Sequence, residues 1–173
     1  MSSPDSSPAP AQSRFDIIDI PVEGGVMPAH RWLPESGSGP GILLLQEIFG
    51  ISDYIQRRAA DLVALGYVVV APEIYWRLGT TRVENGPAAL DEAMGLVSQL
   101  DWDAAVADAS AALTLTRDLP EVTGPTALVG FCFGGGLAIA MKADIRIAAE
   151  GSLYAIPAAR LGIAYPPHSV RDL

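Results

Sequence analysis

A chain of 173 residues, half of them hydrophobic, has room for one ordinary domain with a buried core. Its formal net charge of −9, with Lys142 its sole lysine, excludes a nucleic-acid partner, because holding a polyanion takes clustered cations. No stretch is long and apolar enough to span a membrane, and a lone cysteine, Cys132, cannot close an internal disulfide, so a cytoplasmic protein in a reducing setting is expected.

Residues 1–14 are rich in Ser, Pro and Ala, with neither a basic start nor an apolar run, and read as a disordered leader. "FDIIDIPV" and "MPAHRWLP" then alternate in polarity around Glu23-Gly24-Gly25, which predicts an antiparallel hairpin. "GILLLQEIFG" is a continuous apolar run suited to a strand buried on both faces of a parallel sheet. From about Asp53 to Leu65 the period becomes helical: Asp53 and Gln56 form a capping box, Ile55, Ala59, Leu62 and Val63 share a face, and Gly66 ends the helix. "YVVVAPEIYW" predicts a second buried strand, "GPAALDEAMGLVSQL" and "DWDAAVADASAALTLTR" two helices, the latter capped by Asp101, and "PTALVGF" a third buried strand ending at Cys132. Alternating strands and helices imply an α/β fold, a doubly wound, mostly parallel sheet with the antiparallel hairpin at its edge. Sites in such sheets lie beyond the carboxyl ends of the strands, here at Glu47-Ile48, at residues 73–77 and at Cys132-Phe133.

The stretch "GFCFGGGLAIA" has the form of a nucleophile elbow, a strand that breaks into G-x-C-x-G-G and then a helix. The glycines allow a tight turn that exposes the thiol and aims the first helical amides at one point, which is the geometry acyl transfer requires. From the residues alone Cys132 reads equally as a small buried hydrophobe. Glu47 reads equally as a solvated strand end, and Arg77 as a surface charge beside a Tyr75–Trp76 packing cluster. Glu73 is read as structural. His30 and His168 are far apart in the chain and make no ligand set with one cysteine, and the glycines at 134–136 do not follow the dinucleotide spacing. No metal or cofactor is expected.

"GILLLQEIFGI", "GYVVVAPEIYWR" and "ALVGFCFGG", in that order and spacing, resemble the dienelactone hydrolase family of α/β-hydrolases over about residues 15–135. The resemblance implies that Cys132 is the nucleophile and Glu47 the carboxylate that activates it. It implies that the backbone amides of Ile48 and Phe133 form the oxyanion hole and that Arg77 binds the substrate's carboxylate. The substrate is then a small lactone or ester carrying a carboxylate.

The family's triad also needs an aspartate and a histidine on later strands, and the residues after Cys132 have another character. From about Gly134 to Leu173, "GGGLAIA", "ADIRIAAEG" and "IPAARLG" resemble the enoyl-CoA hydratase (crotonase) superfamily. That second resemblance implies a thioester-binding amide at Gly135. Hydratases of that family use two glutamates where Ala138 and Ala158 stand, so hydration is the weaker expectation and acyl-CoA binding the alternative. The expected organisation is an incomplete hydrolase domain over 15–142 and a poorly packed tail over 143–173, with hydrolysis impaired for want of the triad histidine. A non-catalytic fusion fragment is the remaining reading. An elbow strand with one uncovered edge predicts self-association through that edge.

Overall fold

The computed structural model describes residues 14–131. Strands β1 (Arg14–Val22) and β2 (Gly25–Leu33) form the expected hairpin, antiparallel, with Val22 opposite Gly25 and the intervening Gly24 at a positive φ of 80°. β3 (Gly39–Leu45) leads through a short loop into α1 (Asp53–Ala64), and β4 (Val68–Pro72) follows. After one 3-10 turn at Trp76–Leu78 come α2 (Ala89–Gln99), α3 (Trp102–Asp118) and β5 (Val122–Gly130).

The five strands make one sheet in the order β1-β2-β4-β3-β5. β2 pairs antiparallel with β4, whereas β3 pairs parallel with both β4 and β5, so the sheet is mixed and its parallel part is built around β3. Strand alternation sorts the apolar side chains between two faces. Ile42, Leu44, Val69 and Ala71 meet Ile55, Ala59 and Val63 of α1, whereas Leu43, Leu45 and Val70 meet Ala105, Ala109 and Ala112 of α3. Helices therefore cover both faces, which is why β3 and β4 carry unbroken apolar runs. Leu43 has no exposed surface, and its truncation to Ala would cost about 3 kcal/mol.

The chain leaves β3 for β4 on one side and reaches β5 on the other. The reversal makes the carboxyl end of β3 the topological switch point, the place where sheets of this kind bind ligands. Among the described residues no helix is long and apolar enough to cross a membrane.

Two local expectations are corrected. The cap of α1 is Ser52, whose hydroxyl accepts from the Ile55 amide, and Asp53 is free to pair with Arg82 at 2.9 Å. A hydroxyl one residue earlier can reach the third amide of the helix in extended geometry, which an acid already inside the first turn cannot. β5 is not a buried strand: its residues are exposed or half-buried along its whole length. Among the described residues it pairs with β3 alone.

Candidate active site at the carboxyl ends of the strands

β3 ends at Leu45 and is followed by Gln46, Glu47 and Ile48, held by the loop that follows β4. The fully buried Gln46 accepts the Ile74 amide through Oε1 at 3.2 Å. Tyr75, also without exposed surface, donates its hydroxyl to the Ile48 carbonyl at 2.9 Å and so fixes the residue whose amide is a candidate oxyanion donor.

The turn carrying Glu47 is closed by the Gly50 amide on the Glu47 carbonyl at 3.1 Å. Gly50 has a φ of 77°, and a Cβ there would meet the Thr81 carbonyl and stand 2.8 Å from the Arg82 Cα. Only glycine permits that approach. The Ile51 amide then bonds the Thr81 carbonyl and the Val83 amide bonds the Phe49 carbonyl, each at 3.0 Å.

On this frame Glu47 stands half-buried, its Oε1 accepting from the Ser52 hydroxyl at 2.6 Å. The end of β5 lies beside it. Leu45 is opposite Gly130, the Phe131 amide bonds the Leu45 carbonyl at 3.3 Å, and the Phe131 ring meets Tyr54 edge-on at 5.5 Å in the first turn of α1.

Glu73 is structural, as expected, although more elaborately than its position suggests. His30 donates to its Oε1 at 2.9 Å and Thr81 to its Oε2 at 2.8 Å, tying the hairpin to the segment that clamps Gly50. Burial works against the charge, but those two bonds and the nearby imidazole outweigh it and hold the carboxyl below its ordinary value.

Arg77 is not a free guanidinium. Its Nε and Nη2 clasp the two oxygens of Asp108 at 2.9 and 2.8 Å, and Nη2 also donates to the Glu23 carbonyl at 2.7 Å. Asp108 is 2% exposed and accepts the Trp76 indole N–H as well, at 2.8 Å. The cation expected to receive a substrate carboxylate already holds one from α3, and the bond to Asp108 raises its pKa further. Sequence reasoning missed Asp108 and Ser52. An acid at 108 in a stripe with Ala105, Ala109 and Ala112 was a usable signal, since a charge on a buried helix face needs a partner.

Cys132, Phe133 and Gly135 lie outside the described residues, as do residues 1–13 and the whole segment 132–173. Among the described residues no group of His, Cys, Asp and Glu could hold a metal ion. An open hollow of about 480 Å³ beside Pro34, Glu35 and Gly66 lies at the opposite, amino end of β4, away from Glu47.

A sequence profile of the Dienelactone hydrolase family matches residues 27–163. The chain is 37% identical over 123 residues to carboxymethylenebutenolidase 1 of Cupriavidus pinatubonensis, covering 69% of this chain and 52% of that protein. It is 33% identical over 124 residues to the carboxymethylenebutenolidase of Pseudomonas sp. strain P51, covering 70% and 52%. A solved Klebsiella pneumoniae structure assigned as a dienelactone hydrolase superposes with a TM-score of 0.58 at 27% identity, covering 70% of this chain and 51% of that one. The chain thus spans about half the length of the curated relatives it matches. The profile runs through residue 163, across most of the segment that resembles crotonases, and that second resemblance gains no support from it.

Proposed function

Because this chain belongs to the dienelactone hydrolase family, we propose that it opens small lactones or carboxylic esters by acyl transfer to Cys132, with Glu47 as the base. One observation carries the reading. The parallel pairing of β3 with β5 sets Leu45 opposite Gly130, and in the sequence Glu47 and Cys132 each follow their paired residue by two positions. That equal spacing supports pairing the carboxylate with the thiol as base and nucleophile.

In this reading the Glu47 carboxylate takes the Sγ proton, and the thiolate attacks the carbonyl carbon. The oxyanion that forms accepts from the amides of Ile48 and Phe133. Collapse breaks the carbon–oxygen bond of the lactone or ester, the leaving oxygen recovers the proton from Glu47, and a thioester on Cys132 remains for water to hydrolyse. Tyr75 supports the hole by holding the Ile48 carbonyl, and Gly50 supports the base by closing its turn. The single thiol suits a reducing, cytoplasmic setting.

Hydrolysis of the thioester is the slower step. A histidine activates water in such sites, and His30 is already bound to Glu73 in the hairpin. Arg77 already holds Asp108, so the reading does not depend on its binding a substrate carboxylate. Mixing the protein with excess p-nitrophenyl acetate is expected to release a burst of nitrophenol approaching one equivalent, followed by a slow steady rate. Cys132→Ala should remove the burst and Glu47→Gln should slow it by about 100-fold, within the range of general-base effects. A burst that survives Cys132→Ala would overturn the assignment.

A further inference from the structure

The Ser52 hydroxyl makes two hydrogen bonds of different kinds. It accepts from the Ile55 amide at 3.4 Å, which caps α1, and it donates to Glu47 Oε1 at 2.6 Å. A hydroxyl carries one proton. With the helix amide on its lone-pair side, that proton is directed at the carboxylate, and a short bond to a charged acceptor is stronger and more orienting than a neutral one.

The surroundings fix both partners. Glu47 and Ser52 are half-buried at the two ends of a turn clamped against Thr81, Arg82 and Val83, so their separation is set by the backbone. Among the described residues Ser52 is the only hydrogen-bond partner of the Glu47 side chain, and the bond engages Oε1 and leaves Oε2 open.

We propose that Ser52 is a positioning residue for Glu47: its hydroxyl holds Oε1 and so fixes the carboxylate, leaving Oε2 as the oxygen that takes the proton. The proposal rests on the reading of Glu47 as base and goes beyond the capping of α1. Glycine separates the two roles. At an N-cap it costs only a few tenths of a kcal/mol relative to serine, it tolerates the φ of −66° and ψ of 168° found at Ser52, and it has no hydroxyl. Threonine keeps both bonds.

The test is the rate of Cys132 alkylation by iodoacetamide, which is unambiguous because the chain has one cysteine. It is read together with the burst rate and the melting temperature in Ser52→Gly, Ser52→Thr and Glu47→Gln. Ser52→Gly should slow both rates by about 10-fold or more, short of the roughly 100-fold that a 1 Å misplacement can cost, with its melting temperature held within a few degrees. Ser52→Thr should react like the parent. Reaction of Ser52→Gly at the parent rate while Glu47→Gln is slow overturns the proposal and leaves the base standing. Slowing in Ser52→Gly that comes with a collapsed melting temperature, or that Ser52→Thr shares, also overturns it, because the effect is then structural. Parent rates in Glu47→Gln overturn the base and the proposal together.

Discussion

Glu73 and Arg77 are four residues apart in one loop, and both are bound to side chains that come from far along the chain. Arg77 reaches Asp108 across 31 residues and Glu73 reaches His30 across 43. Each pair joins the loop after β4 to another layer, Asp108 from α3 and His30 from the hairpin. The Glu73 pair has a consequence in solution. Its carboxyl is held below its ordinary value near 4.5, so the folded state favours the ionised form. The stability this contributes is fully present above the unfolded value and is lost as the pH falls through the lower, folded one. In urea titrations between pH 3 and 7, Glu73→Gln is expected to be less stable than the parent at neutrality, with the difference closing below about pH 4.5. A constant difference across that range would remove Glu73 as the source. Sequence reading assigned Glu73 to structure from its place at a strand end, but the partners were out of reach, because nothing local pairs position 73 with 30.

At the scale of elements, the loop between β3 and α1 determines where Glu47, the proposed base, stands. Its expected start and end were readable: an apolar strand, a helical period from Asp53, and Gly66 as the stop, at φ 93°. The clamp was not, because the segment around Thr81 contacts Gly50 through backbone atoms, which leave no mark on residue type except at the glycine itself. Gly50→Ala tests the clamp. It forces a left-handed φ on alanine and pushes a methyl group into the Thr81 carbonyl and the Arg82 backbone, a strain of roughly 1–3 kcal/mol. The expected result is a lower melting temperature together with slower alkylation of Cys132, since the turn that carries Glu47 must shift. Unchanged alkylation in a destabilised variant would separate the turn from the site.

For the whole molecule the governing feature is the sheet order, with β5 bonded on one side to β3 and, among the described residues, to nothing on the other. Exposed or half-buried residues along β5 contrast with the full burial of β4. A strand edge with unpaired amides and carbonyls is a template for another chain, so the protein is expected to self-associate with increasing concentration. Sedimentation velocity over a hundredfold range should show the mean mass rising, and Leu128→Pro, which removes an amide on the side of β5 facing away from β3, should reduce the rise. A constant monomer mass across that range would show that the edge is covered.

Periodicity, glycine placement and apolar runs in the sequence by themselves determined the hairpin, the three later strands, the helices and the α/β class, because these depend on interactions within a few residues. The elbow glycines and the acid after "GILLL" likewise marked the residues proposed to carry the chemistry. Only the tertiary structure decided which candidates have partners: Arg77 is clasped by Asp108, Glu47 is held by Ser52, and among the described residues β5 stands at an edge. The physical reason is common to all three. Pairing of charges and completion of a sheet depend on separations across layers, and one-dimensional spacing does not contain them.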